Sequence, residues 1–302
     1  MIVFCTLTRF WSAAQGDIVP RVVLNWESAT RQPKEGDFVR VGLSVWNFCE
    51  SSTSLKESVS EFAGYGFDAV SFLPKQITDL DPPEALELVA VVESGDLHVT
   101  IHGTCDLSRE DIETIVKLFD YRLKAITVDA AMTSDSRGFF FDTPKIARVL
   151  VDIEAASRGT EARFGVEDFP LDTQALEYYG KDLSPVIESP RFGALIDFGH
   201  MNLRLNSSDY FRGLGPVEYV GRVPVPVIEV HVHDNDGEAD SHGHLGFGSI
   251  SFDRVVEALK AIAFDGVSTI EIAPTFHDST ISDSKALLKD SLRQWRALCR
   301  EL

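Results

Sequence analysis

From residue 41 onward the chain alternates short β-rich runs with longer runs of helical period, eight times over. The parity of the short runs is what most restricts the fold. They fall at residues 41–45, 69–72, 98–102, 125–129, 163–167, 193–197, 227–233 and 269–272. Successive side chains of a strand point to opposite faces. In the fifth run Phe164 and Val166 share one face, and Arg163, Gly165 and Glu167 share the other. In the sixth, Ala194 and Ile196 oppose Gly193, Leu195 and Asp197. In the seventh, Ile228, Val230 and Val232 oppose Glu229, His231 and His233; in the eighth, Ile270 and Ile272 oppose Thr269 and Glu271. The third sets Val99 and Ile101 against His98, Thr100 and His102, and the fourth sets Ile126 and Val128 against Thr127 and Asp129. One face is thus aliphatic, and the other is small or polar and ends in an acid or a histidine. A doubly wound sheet is covered by helices on both faces and would be apolar on both. A barrel has an interior that converges on a polar centre at its C-terminal rim. The parity therefore predicts an α/β chain folded as a (β/α)8 barrel.

Helix boundaries agree with that alternation. Ser54 with Glu57 reads as a capping box, and Ser108 with Asp111 resembles one. Thr143 before Pro144 reads as an N-cap with proline at the first helical position. Gly64, Gly66 and Gly266 stand where helices are expected to end. The 302 residues suffice for one large barrel, placed at residues 39–302. Residues 1–38 are expected to form an N-terminal extension outside it, with disorder left open. No apolar run approaches the ~18–20 residues of a membrane span, and the start of the chain lacks the basic stretch of a signal peptide. Cys5, Cys49, Cys105 and Cys299 show no metal-finger spacing. They read as reduced thiols of a cytoplasmic protein. A formal net charge of -19 repels phosphate backbones, which disfavours nucleic acid as a partner.

The rim set of Glu167, Asp197, His231 and Glu271 suits a hard-to-borderline divalent ion, Mn²⁺, Mg²⁺, Co²⁺ or Zn²⁺. The segments GVEDF (165–169), IDFGHMN (196–202), EVHVHDNDG (229–237), DSHGHLGFGSISF (240–252) and TIEI (269–272) resemble the xylose-isomerase-like TIM barrel superfamily. That superfamily includes sugar and sugar-phosphate isomerases and epimerases, inosose-type dehydratases and endonuclease IV. The likeness runs from about residue 41 to the C-terminus. It implies Glu167, Asp197, His231 and Glu271 as metal ligands, with Glu167 and Glu271 also moving protons. His102, His200, Asp240 and His242 are expected to hold substrate or a second metal ion. Asp234 is expected to orient its neighbours. Trp46 reads as a sugar-stacking wall or a core aromatic. Gly246 and Gly248 read as places where backbone approaches substrate, or as a plain turn.

The resemblance implies a metal-dependent isomerase or epimerase of a sugar, sugar phosphate or polyol ketone, acting through an enediolate. An inosose-type dehydratase on the same scaffold is one alternative, and a phosphodiesterase of the endonuclease IV kind on abasic DNA is another. The nuclease pattern departs at Asp129, where that enzyme has a histidine. The partner expected is a small carbohydrate, with a homo-oligomer left open. Arg204 and Arg212 are the candidates for a phosphate clamp.

Overall fold

The computed structural model describes residues 39–50, 52–135, 138–169, 176–274, 280–300 and 302. The extension expected over residues 1–38 lies outside the described residues. Eight strands make the barrel: β1 (Arg40–Ser44), β2 (Ala69–Phe72), β3 (His98–Gly103), β4 (Leu123–Val128), β5 (Arg163–Glu167), β6 (Phe192–Asp197), β7 (Val227–Val232) and β8 (Val267–Ile270). Each pairs in parallel with its neighbours, and β8 returns to β1 to close the ring in the order β1-β8-β7-β6-β5-β4-β3-β2.

The aliphatic faces point outward. Ile101, Val128, Val166, Ile196, Val230 and Ile270 are fully buried between the strands and the surrounding helices. Helix Ile281–Cys299 illustrates the contact: Trp295 is enclosed, and its indole N–H donates to Ser268 Oγ at 2.9 Å. The inward faces are less usual. Barrel interiors are mostly branched aliphatics, yet here Ser44, Ser71, Thr100, Thr127, Glu229 and Thr269 are all buried. A polar floor therefore lies under the rim.

The capping box at Ser54 and Glu57 starts helix Leu55–Tyr65, and Gly66 ends it in the left-handed conformation at φ 95°. Ser108 likewise accepts from the Asp111 amide. Other expectations need correction. Asp142, not Thr143, caps helix Thr143–Ala156, because its carboxylate reaches the Lys145 amide at 3.1 Å. Gly64 lies inside helix Leu55–Tyr65. Gly266 precedes β8, where a side chain would strike the Ile228 carbonyl. Strand β8 begins two residues earlier than expected, so Glu271 stands just past its end, and Asp129 stands just past β4. Residues Met132–Asp135 and Gly138–Phe141 form an antiparallel hairpin that the periodicity does not show. Among the described residues no helix is long and apolar enough to cross a membrane.

Candidate metal centre

Four strand ends deliver the central group. Glu167 ends β5, Asp197 ends β6, His231 lies in β7 and Glu271 follows β8. One ligand atom from each lies within 4.8 Å of the others, and all four residues are buried. His231 Nδ1 sits 2.7 Å from Glu271 Oε2, 3.2 Å from Glu167 Oε1 and 3.8 Å from Asp197 Oδ2. None of these contacts has hydrogen-bond geometry: both His231 ring nitrogens and Asp197 Oδ2 are buried without a hydrogen-bond partner. The ligand atoms therefore crowd together, with Asp197 Oδ2 and the His231 ring nitrogens left unsatisfied. Three buried carboxylates around one imidazole repel one another unless a cation compensates them. The residues present therefore fit a divalent ion.

Local structure aims these groups. Asp197 caps helix Phe198–Ser207 through Oδ1, which accepts from the His200 amide at 2.8 Å and leaves Oδ2 facing the centre. Behind it, Asp168 Oδ1 accepts from the Asp197 amide at 2.9 Å. The Asp168 carbonyl takes His200 Nδ1 at 2.8 Å, which turns His200 Nε2 toward Asp240 Oδ2 at 3.2 Å.

Two further groups adjoin the first. His102, Asp129 and Glu167 form one, with His102 Nε2 2.8 Å from Asp129 Oδ1 and 3.5 Å from Glu167 Oε2. His233, Asp240 and His242 form the other, the two imidazoles stacked at 4.0 Å. His233 deserves a larger role than its sequence position suggests: it is fully buried, and its Nε2 lies 3.0 Å from Asp197 Oδ1. Its signal is the inward parity it shares with His231. Trp46, half-buried, stacks on His102 with ring centroids 6.0 Å apart, so it walls this side of the rim.

The charges polarise one another. Burial resists ionisation of Asp197, but the imidazoles of His233, His200 and His231 outweigh it and hold the carboxyl well below the usual range. Burial also opposes ionisation of Glu271, yet His231 and His242 bring it down to about 2. At Glu167 burial wins and the carboxyl is raised. His242 resists charging through burial, but Asp240 and Glu271 lift it to about 9.

Other expected residues fall elsewhere. Arg204 is fully buried, donating to the Tyr219 hydroxyl at 2.6 Å and lying 3.4 Å from Asp168 Oδ2, so it braces the wall behind the site and cannot clamp a phosphate. Arg212 is exposed and pairs with Asp209. Asp234 holds the loop after β7, accepting from the Gly246 and Ile250 amides. Gly248 belongs to that packing: a Cβ there would lie 2.2 Å from the Asn235 carbonyl.

The family model described as "Xylose isomerase-like TIM barrel" matches residues 180–298, which include Asp197, His231, Asp240, His242 and Glu271. Over that stretch, which holds β6, β7 and β8, the chain is similar to the xylose isomerase-like TIM barrel family. An uncharacterized protein of Methanocaldococcus jannaschii is 25% identical over 261 residues, covering 79% of this chain and 85% of that one. Among solved structures, a D-tagatose 3-epimerase-like protein superposes with a TM-score of 0.62 at 22% identity, over 86% of this chain and 99% of that chain. The IolI protein with a bound zinc atom gives a TM-score of 0.62 at 14% identity, over 86% and 98%. At these identities the likeness is one of fold alone, a closed eight-stranded barrel.

Proposed function

We propose that the chain is a divalent-metal-dependent isomerase or epimerase of a sugar, sugar phosphate or related polyol ketone. The observation that carries the reading is the central group, in which Glu167 and Glu271 flank His231 from two sides. Glu167, Asp197, His231 and Glu271 would hold the ion. A bound divalent ion supplies Lewis acidity, which makes a C–H beside a ketone easier to deprotonate and favours the enediolate. The two glutamates stand on strands three places apart in the ring. They address a substrate carbon from different sides, one removing its proton and the other returning one. His102, His200, Asp240 and His242 ring that centre and suit hydroxyl recognition. The zinc bound by IolI and the tagatose epimerase likeness support the reading. A dehydratase would begin with the same proton removal and then expel a β-hydroxyl. Neither arginine singled out from sequence argues for a substrate phosphate.

The test is a panel of ketoses, ketose phosphates and inososes with Mn²⁺ or Co²⁺ in deuterated solvent. The wild type is expected to exchange a carbon-bound proton, and Glu167→Gln and Glu271→Gln to lose that exchange while remaining folded. Full exchange by either mutant contradicts the assigned roles.

A second reading has its own observation. The central group and the two flanking groups, one of which shares Glu167, offer places for up to three ions, a set suited to phosphodiester hydrolysis. The charge of -19 weighs against a DNA substrate. Incision of abasic DNA at moderate salt would favour this reading, and a clean negative would retire it.

A further inference from the structure

Below the rim, Glu229 is fully enclosed by the barrel. A buried carboxylate is costly unless hydrogen bonds satisfy it. Both of its oxygens are taken: Thr269 Oγ1 donates to Oε1 at 2.9 Å, and Thr127 Oγ1 donates to Oε2 at 3.3 Å. Thr127 belongs to β4 and Thr269 to β8, which stand four places apart in the ring of eight. Glu229, on β7, therefore spans the floor and ties opposite walls together.

The donor count then reaches the rim. A threonine hydroxyl has one proton to give. Three acceptors compete for it, His102 Nδ1 at 3.2 Å, Glu229 Oε2 at 3.3 Å and the Ile101 carbonyl at 3.4 Å, and the carboxylate is the strongest of them. With its proton committed downward, Thr127 can only accept from His102, whose Nδ1 is 3.2 Å away. Nδ1 must then carry a hydrogen. The opposite nitrogen, Nε2, is turned toward Asp129 Oδ1 and Glu167 Oε2, to which it gives its own hydrogen while no ion is bound and which it would face as a free ligand atom once one is.

We propose that Glu229 and Thr127 are positioning residues that lock His102 with Nδ1–H toward the barrel floor and Nε2 toward the rim, making Nε2 its ligand atom. The pair does for His102 what a carboxylate or carbonyl behind a ligating histidine does elsewhere, fixing ring orientation and tautomer. Neither residue touches substrate. Thr269 extends the same strut to within two residues of Glu271, on the far side of the centre.

The test reads the ring directly, by ¹⁵N-histidine NMR of the metal-free protein and of the protein titrated with Zn²⁺. Wild type is expected to show a slowly exchanging His102 Nδ1–H. Thr127→Ser, which keeps the hydroxyl, should retain it. Thr127→Val, nearly isosteric, should lose it and bind the zinc held by His102 about 10–100-fold more weakly. Glu229→Gln should speed the exchange, because its amide nitrogen donates and does not accept, which leaves one of the two threonine hydroxyls without its acceptor. A protected Nδ1–H in Thr127→Val overturns the proposal, and unchanged exchange in Glu229→Gln removes Glu229 from it. Only the affinity arm rests on the reading of the rim as a metal centre. If wild type binds no zinc, that reading fails while the Nδ1–H signal still decides this one.

Discussion

Replacing Gly199 with alanine is expected to damage the centre without touching a ligand. Gly199 is the second residue of helix Phe198–Ser207, and the His233 ring lies against it. A Cβ built at this position falls 1.9 Å from His233 Cε1, 2.4 Å from Nε2 and 2.8 Å from Nδ1. Ordinary contact begins at 3.4 Å, so the ring must retreat by about 1.5 Å, the difference between 3.4 and 1.9. It has little room to do so. His242 stacks on it at 4.0 Å, and Asp197 Oδ1 lies 3.0 Å from its Nε2. Overpacking of this kind costs ~1–3 kcal/mol, and in a domain of this size each kcal/mol lowers Tm by roughly 2–4 °C. Gly64→Ala supplies the control. It makes the same chemical change at an exposed position of helix Leu55–Tyr65, where a Cβ meets nothing within 4 Å. There the gain in helix propensity should stabilise by ~0.5–1 kcal/mol. Denaturant melts of the metal-free proteins read both shifts. Equal shifts of the same sign, or a crystal structure of Gly199→Ala with His233 unmoved, would refute the packing argument.

Removing Arg204 should destabilise strongly. Arg204→Met leaves Asp168 buried without its cation, at a cost of ~3–5 kcal/mol, and adding Asp168→Asn should recover part of the loss in denaturant melts. The metal-free protein should also show two pH limbs. Glu271, depressed from 4.5 to about 2, contributes stability that is present above 4.5 and lost as pH falls toward 2. His242, raised from 6.5 to about 9, contributes stability that is present below 6.5 and lost as pH rises through 9. His242→Asn should flatten the alkaline limb, and an unchanged limb would remove that assignment. Saturating metal should raise stability by ~2.7 kcal/mol at a hundred times its dissociation constant, and chelation should reverse it.

Much of the barrel was legible because strand parity is a physical constraint. A residue two positions along a strand from Glu229 must share its face, so parity alone sets His231 inward and His233 with it. The central group followed from the same rule applied to β5, β6 and β8. What escaped depended on distance along the chain. Arg204 reads as a candidate phosphate clamp, because nothing local reveals Asp168 and Tyr219 behind it. The hairpin beyond β4 has no period long enough to register. At Gly248 the sequence leaves a substrate approach and a plain turn open, because the Asn235 carbonyl against it is brought back by the turn of the loop itself. The polar floor was visible as parity, but the cross-barrel bond from Thr127 to Glu229 joins residues 102 positions apart and needed the closed ring.

The most direct measurement is the divalent-metal content of the purified protein, set beside that of Asp197→Ala. Asp197 is chosen because its Oδ2 is buried in the centre without a hydrogen-bond partner. The account expects at least one ion per chain in wild type, lost with the mutation and restored to the wild type after chelation and reloading. A wild type that binds no divalent ion, and whose stability chelator leaves unchanged, would contradict it.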